Sequence, residues 1–150
     1  MREPAKRVPV IEILLVEDDP RDVRMTEEAL RAAKVHNRLT VASDGVEALR
    51  ILRREGEHRA APRPDLVLLD LHLPHLDGQG VLAEMKGSTD LRSIPVAVVS
   101  GPQTEMDTVG ARRLGAACHI RKPVDFHQLI RVVESVEELW LSIVRIPSAS

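Results

Sequence analysis

The chain contains 150 residues with a formal net charge of −2, and 43% of its residues are hydrophobic. This length and mixture are typical of one globular domain, and the charge gives no general attraction to nucleic acid or to anionic membranes. The single cysteine, Cys118, excludes an internal disulfide, and the N-terminus lacks the apolar region of a signal peptide. We therefore expect a cytoplasmic protein with neither nucleic-acid nor membrane partners, since no apolar run reaches membrane-spanning length.

Predicted strands and helices alternate along the chain after a flexible tail over 1–10. The apolar run 11–16 predicts the first strand, and Asp19-Pro20 predicts the cap and first residue of a helix that ends near Ala33. The remaining strands are predicted over 39–42, 65–70, 94–100 and 116–121. The remaining helices are predicted over 45–54, 80–86, 103–114 and from about 125 onward, with a polar loop over 55–64. This alternation predicts an α/β fold with a parallel sheet and right-handed crossovers.

The third predicted strand ends in a carboxylate at Asp70 after a continuous aliphatic run, which is typical of a strand buried on both faces. In a parallel sheet the carboxyl ends of the strands lie along one edge, where open α/β sheets place their ligand sites. The sequence therefore predicts a cluster of polar side chains from several strand ends: Glu17, Asp18, Asp19, Asp70, Ser100 and Lys122. Unpartnered carboxylates this close would repel one another, although Asp19 is already explained as a helix cap.

A hard divalent cation resolves that repulsion, because Mg²⁺ takes carboxylate, water and phosphate oxygens as ligands. A carboxylate beside a cation, a lysine and a hydroxyl is typical of an aspartyl-phosphate site, with Asp70 as the nucleophile. Plainer interpretations stay open for single residues. Asp18 could be a second helix cap, Ser100 a simple strand-end hydroxyl and Lys122 a solvated surface charge.

Taken together, these motifs resemble the receiver domains of two-component response regulators. The matching segments are Val16-Glu-Asp-Asp-Pro20, Leu69-Asp-Leu-His-Leu-Pro74 with Asp77-Gly78, Val99-Ser-Gly101 and Lys122-Pro123. Each motif alone is weak, but their combined order and spacing over residues 10–138 are specific. The resemblance implies a doubly wound, CheY-like (flavodoxin-like) fold whose five parallel strands follow the order 2-1-3-4-5, within a receiver domain over 11–138.

The resemblance implies a role for each acidic residue of the cluster. Asp70 would accept a phosphoryl group from a sensor histidine kinase. Glu17 and Asp18 would bind Mg²⁺ or Mn²⁺ together with Asp70 and the backbone carbonyl of His72. The chain would then be a phosphoacceptor with slow self-dephosphorylation, and not an enzyme that turns over outside substrates.

Four further residues take roles from the same resemblance. Lys122 would bind a phosphoryl oxygen, and Ser100 would move to hydrogen-bond the phosphoryl group and so report phosphorylation. The Lys122-Pro123 pair resembles the family's cis peptide bond. The family's switch position, three residues before the lysine, usually holds an aromatic side chain, but here it is His119.

The C-terminal segment is the second informative feature of the sequence. Apolar residues recur at helical spacing from Leu129 to Val144, which predicts a last helix that outgrows the receiver core. We predict that 139–150 form a dimerisation arm of a symmetric homodimer, with its contacts from Leu139, Trp140, Ile143, Val144 and Ile146. Alternatively, the arm folds back on its own domain. With the loop over 55–64, this segment more narrowly resembles the single-domain response regulators of bacterial phytochromes, which implies a bacteriophytochrome as the kinase.

Two other function classes fit the sequence less well. A phosphatase of the haloacid dehalogenase type needs a second aspartate two residues after the nucleophile, and His72 occupies that position. A flavodoxin-like cofactor binder needs a Ser/Thr/Gly phosphate loop after the first strand, where Glu17-Asp18-Asp19 stand instead. A flavin would also need aromatic side chains, and the chain has only Phe126 and Trp140.

Overall fold

The protein is described by a computed structural model over residues 10–33, 36–100, 113, 115–122 and 127–135. Within these residues a parallel sheet has the strand order β2-β1-β3-β4-β5, built from β1 (Ile11–Val16), β2 (Asn37–Ala42), β3 (Leu66–Asp70), β4 (Val96–Ser100) and β5 (Cys118–Arg121). The helices are α1 (Pro20–Ala32), α2 (Gly45–Leu52), α3 (Gly78–Lys86) and a last described helix over 127–135. The predicted fold class and strand order are confirmed. No helix in the described ranges is long and apolar enough to span a membrane.

The helix ends differ slightly from their predicted positions, for local reasons. Asp19 caps α1 as predicted, since its Oδ1 accepts a hydrogen bond from the Arg21 amide at 2.9 Å. Helix α2 ends at Leu52 instead of near residue 54, because Arg54 adopts a left-handed φ of 56°. Helix α3 begins at Gly78 instead of residue 80, because the Asp77 carboxylate caps it by accepting from the Gly80 amide at 2.8 Å. The loop over 55–64 contains one 3₁₀ turn, Gly56–His58.

Three strands begin two residues away from their predicted starts. Strand β2 begins at Asn37, earlier than predicted, and it pairs with β1 along its whole length. Strand β4 begins at Val96, later than predicted, because the Ile94 amide still donates to the Leu91 carbonyl in the preceding turn. Strand β5 begins at Cys118 instead of residue 116. The carboxyl ends of β1, β3, β4 and β5 lie where the sequence predicts them, and these four ends carry the predicted site residues.

Two hydrophobic clusters cover the two faces of the sheet. One face packs against α1 and the last described helix, and its members include Leu15, Leu68, Ile120, Ala29 and Leu129. The other face packs against α2 and α3, with members that include Val16, Leu69, Val98, Leu49 and Leu82. Because side chains alternate along a strand, Glu17, Asp70 and Lys122 continue the first face, which α1 covers.

Several predictions concern residues that the structure does not describe. They are the tail over 1–9, the helix over 103–114 apart from Arg113, the peptide bond at Pro123, and the arm residues Leu139, Trp140, Ile143, Val144 and Ile146. These stay predictions.

Candidate functional site

The carboxyl ends of β1, β3 and β5 bring a lysine into contact with three carboxylates. The Lys122 Nζ atom lies 2.9 Å from Glu17 Oε1, 2.9 Å from Asp22 Oδ2 and 2.9 Å from Asp70 Oδ2. Only 23% of the Lys122 side chain is exposed, and the Glu17 and Asp70 side chains are each 4% exposed. The interpretation of Lys122 as a solvated surface charge is therefore wrong.

A carboxylate cluster lies at the same place. Glu17, Asp18 and Asp70 each offer one carboxylate oxygen, and these oxygens all lie within 4.8 Å of one another. Asp18 is the exposed member of the cluster, so its carboxylate borders solvent while the other two are buried. The structure thus separates the adjacent aspartates, since Asp18 joins the cluster and Asp19 caps α1. This set of hard oxygen donors suits a divalent cation such as Mg²⁺.

The electrostatics of the cluster follow from burial and crowding. Burial, together with the hydrogen bond to Asp70, raises the pKa of Glu17 to about 8 despite the nearby Lys122 ammonium. Burial alone would lower the pKa of Lys122, but its hydrogen bonds to Asp70, Asp22 and Glu17 outweigh that effect and raise the pKa above the usual lysine value. The lysine therefore stays charged, and the acidic groups outnumber it.

The backbone after β3 orients the Asp70 carboxylate. The His72 amide donates to Asp70 Oδ1 at 2.9 Å, while Lys122 holds the other oxygen. Gly78 makes this close turn possible, because a Cβ atom there would lie 2.4 Å from the Asp70 carbonyl oxygen and 2.6 Å from the Cα atom of Leu71. The cation-binding role of the His72 carbonyl stays a prediction.

Ser100 and His119 meet on the neighbouring strands. Ser100 is 1% exposed at the end of β4, and its Oγ lies 2.5 Å from Nε2 of His119 on β5. The His119 carbonyl in turn accepts from Gln128 Nε2 at 3.3 Å, which links β5 to the last described helix. Ser100 thus contacts the side chain at the predicted switch position, and its phosphoryl-binding role stays a prediction.

The model of the response regulator receiver domain family matches residues 13–134, which is most of the chain. The chain belongs to this family. The receiver is 39% identical to response regulator Rcp1 of Synechocystis sp. over 137 residues, covering 91% of this chain and 93% of Rcp1. The family predicted from the sequence is thus confirmed.

Solved structures of similar response regulators share the receiver's fold. The manganese-bound form of Rcp1 has a TM-score of 0.74 at 38% identity, covering 92% of this chain and 99% of that one. The phosphorylated cyanobacterial phytochrome response regulator RcpA has a TM-score of 0.76 at 43% identity, covering 93% and 100%. The bacteriophytochrome response regulator RtBRR has a TM-score of 0.76 at 42% identity, covering 85% and 78%.

One residue of the receiver's site was missed by sequence reasoning. In the sequence, Asp22 is an acidic residue in the first turn of α1. The helix dipole favours a negative charge there, so no further role was expected. No local signal in the sequence marks its contact with Lys122, because Asp18 precedes the cap of α1 and is not a helical neighbour of Asp22. Only the packing of α1 against the sheet shows that Asp22 faces Lys122.

Proposed function

We propose that this receiver is the phosphoacceptor of a two-component phosphorelay and that Asp70 carries the phosphoryl group. The observation that supports this most is the buried Asp70 carboxylate, held between the Lys122 ammonium and the His72 amide. An Asp70 oxygen would attack the phosphorus of a kinase phosphohistidine. The new P–O bond would form as the P–N bond breaks, and the electron pair of the P–N bond would return to the imidazole nitrogen.

The carboxylate cluster supports a divalent cation at this site, Mg²⁺ or Mn²⁺. Glu17, Asp18 and Asp70 would hold it with the His72 carbonyl, and the relative Rcp1 has been solved in a manganese-bound form. When bound, the cation offsets the negative charge that gathers as the phosphoryl group is transferred. The protein's own part would be to position the ligands, and the backbone turn at Gly78 and the Lys122 contacts support this role.

Lys122 and Ser100 would bind the phosphoryl oxygens. Lys122 would exchange its contact with Asp70 Oδ2 for a phosphoryl oxygen, and the Ser100 hydroxyl would turn toward the same group. Because Ser100 contacts His119, that movement would be passed to β5 and to the helix over 127–135 that carries Gln128. We propose that this displacement is the output, with only slow self-dephosphorylation and no turnover of outside substrates.

Phosphotransfer to an Asp70→Asn variant tests the proposal directly. Kinase carrying a labelled phosphohistidine should transfer the label to the wild-type receiver and to Asp19→Asn, whose carboxylate caps α1 and pairs with Arg21. Transfer to Asp70→Asn should be undetectable, because the amide is not a nucleophile. A stable label on Asp70→Asn would show that the acceptor is elsewhere.

The kinase we propose is a bacteriophytochrome, acting on this chain in the cytoplasm. Support comes from the similarity to RcpA, a cyanobacterial phytochrome response regulator, and to RtBRR, a bacteriophytochrome response regulator. Phosphotransfer rates measured against a panel of histidine kinases test this choice. A clear kinetic preference for a kinase without a phytochrome sensor would contradict it.

We further propose that the chain forms a homodimer through residues 139–150, which follow the receiver domain over 11–138. The apolar, helically spaced residues of this arm support an interface, since a single domain has little surface left to cover them. Sedimentation of a chain truncated after Glu138 tests the arm. We expect a monomer, and an unchanged dimer would contradict the role of the arm.

A further inference from the structure

Asp22 contacts the Lys122 ammonium from helix α1. An ammonium group has three protons, and Lys122 Nζ has three carboxylate acceptors at 2.9 Å, of which Asp22 Oδ2 is one. The other two acceptors, from Glu17 and Asp70, come from strand ends, whereas Asp22 comes from the first turn of α1. Its side chain is 28% exposed, so it borders the solvent.

The three acceptors differ in what else they are placed to do. Glu17 and Asp70 belong to the cluster with oxygens within 4.8 Å of one another, and Asp22 is not a member of that cluster. Glu17 and Asp70 would also have to bind the cation, and Asp70 would carry the phosphoryl group. Asp22 lies outside this cluster, so neither the cation nor the phosphoryl group would compete with Lys122 for its carboxylate.

A lysine side chain loses much rotamer freedom when it is held in one position. A lysine that contacts only the phosphoryl group would lose all of this rotamer entropy when the phosphoryl group binds. An anchor that holds the ammonium in advance removes part of the cost, which is the general benefit of preorganisation.

We infer that Asp22 is a positioning residue that holds the Lys122 ammonium ready for the phosphoryl group. This inference rests on the proposed function of the site. Asp22 touches neither the phosphoryl group nor the cation, and it acts through Lys122. The negative charge of Asp22 also opposes an incoming anion, so its hydrogen bond and its charge have opposite effects on phosphoryl binding.

Substitutions separate these two effects. Asp22→Asn keeps an oxygen acceptor and removes the charge, whereas Asp22→Ala removes both. Asp19→Asn is the matched control, because it removes a carboxylate from the same helix end while keeping the cap and without touching Lys122. Thermal unfolding of each full-length variant confirms that it is folded.

Calorimetric titration with beryllium fluoride in excess Mg²⁺ measures the affinity for a phosphoryl analogue. We expect Asp22→Ala to bind about tenfold more weakly than Asp22→Asn, the size of one hydrogen bond to a charged group. We expect Asp22→Asn and Asp19→Asn to lie within about threefold of the wild type. Equal affinities for Asp22→Ala and Asp19→Asn would overturn the inference.

The ammonium itself provides a readout that does not depend on ligand binding. In ¹⁵N-lysine-labelled protein, the triply hydrogen-bonded Lys122 ammonium should exchange its protons slowly and give a signal that Lys122→Arg identifies by its loss. Asp22→Ala should abolish this signal, and Asp22→Asn should restore it. If the wild type binds beryllium fluoride but the signal is unchanged in Asp22→Ala, the inference about Asp22 is overturned and the proposed function stands. If the wild type does not bind beryllium fluoride, the proposed function is overturned together with the inference.

Discussion

The Ser100 hydroxyl and the His119 imidazole are joined across β4 and β5 by a contact of 2.5 Å between Oγ and Nε2. The two side chains share one face of the sheet, because Val98, two residues before Ser100, lies opposite His119 in the strand register. His119, at the predicted switch position, thus contacts the proposed phosphoryl-binding hydroxyl. An imidazole can make this coupling by a hydrogen bond, which a phenyl ring cannot.

Ser100→Ala should uncouple the site from β5. When Mg²⁺ and beryllium fluoride are added, the imidazole NMR signals of His119 should shift in the wild type and shift by about half or less in Ser100→Ala, since the shared contact carries the response. Ser93→Ala is the matched control, because Ser93 Oγ accepts from Arg63 on the surface. An equal His119 shift in Ser100→Ala and the wild type would show that the response reaches β5 by another route.

Asp18→Asn should remove most of the stabilisation that Mg²⁺ provides. A ligand that binds only the folded state at one hundred times its dissociation constant stabilises it by about 2.7 kcal/mol. At the Mg²⁺ concentration that gives this effect in the wild type, urea unfolding should show less than about half of it for Asp18→Asn. Asp19→Asn should retain it, since Asp19 caps α1 and pairs with Arg21 outside the carboxylate cluster. A full Mg²⁺ effect in Asp18→Asn would exclude Asp18 as a ligand.

Gly78→Ala should disturb both the fold and the site. The added Cβ would meet the Asp70 carbonyl oxygen at 2.4 Å and Leu71 Cα at 2.6 Å, both of which are backbone atoms that cannot turn away. We expect a loss of at least about 2 kcal/mol in the free energy of unfolding and a weaker response to Mg²⁺. At Gly87 a Cβ would lie 3.5 Å from its nearest neighbour, the Ala83 carbonyl oxygen, so Gly87→Ala should change stability by less than about 1 kcal/mol. Similar losses in the two variants would contradict this geometry.

Asp44 should make the stability of the protein sensitive to acid. The Glu47 amide donates to Asp44 Oδ1 at 2.7 Å, and this bond, aided by His75 at 3.3 Å, holds the pKa of Asp44 below its ordinary value of 3.8. A carboxyl group with a lowered pKa in the folded state stabilises the protein above its unfolded-state pKa, and this stabilisation is lost as the pH falls through the folded-state pKa. The loss for Asp44 therefore lies below about pH 4.

Urea unfolding at pH 7 and at pH 3 tests this expectation. At pH 7, Asp44→Ala should cost about 1 kcal/mol through the lost cap, and Asp44→Asn should cost less because its oxygen still caps α2. The cost of both variants should shrink as the pH falls below about 4, because the wild type then begins to lose the stabilisation that its ionised cap provides. A cost for Asp44→Ala that is the same at both pH values would contradict the ionised cap.

Much of this receiver could be predicted from its sequence, because the relevant signals are local. The aliphatic runs that end at Val16, Asp70 and Ser100 mark buried parallel strands, and their carboxyl ends must share one edge of the sheet. Asp19-Pro20 marks the start of α1 from two neighbouring residues. The strand starts were less accurate because turn residues such as Ile94 are as apolar as the strands they precede.

Only the tertiary structure decided which polar side chains touch. Asp22 contacts Lys122 because of how α1 rests on the sheet, and the residues are one hundred positions apart in the chain. The Ser100–His119 contact likewise depends on the β4–β5 register, and the raised pKa of Glu17 depends on burial beneath its neighbours. Periodicity and capping act over a few residues and can be read along the chain. The distances, burial and electrostatics of the site arise from the packing of segments that are distant in the chain. Local sequence patterns do not predict this packing.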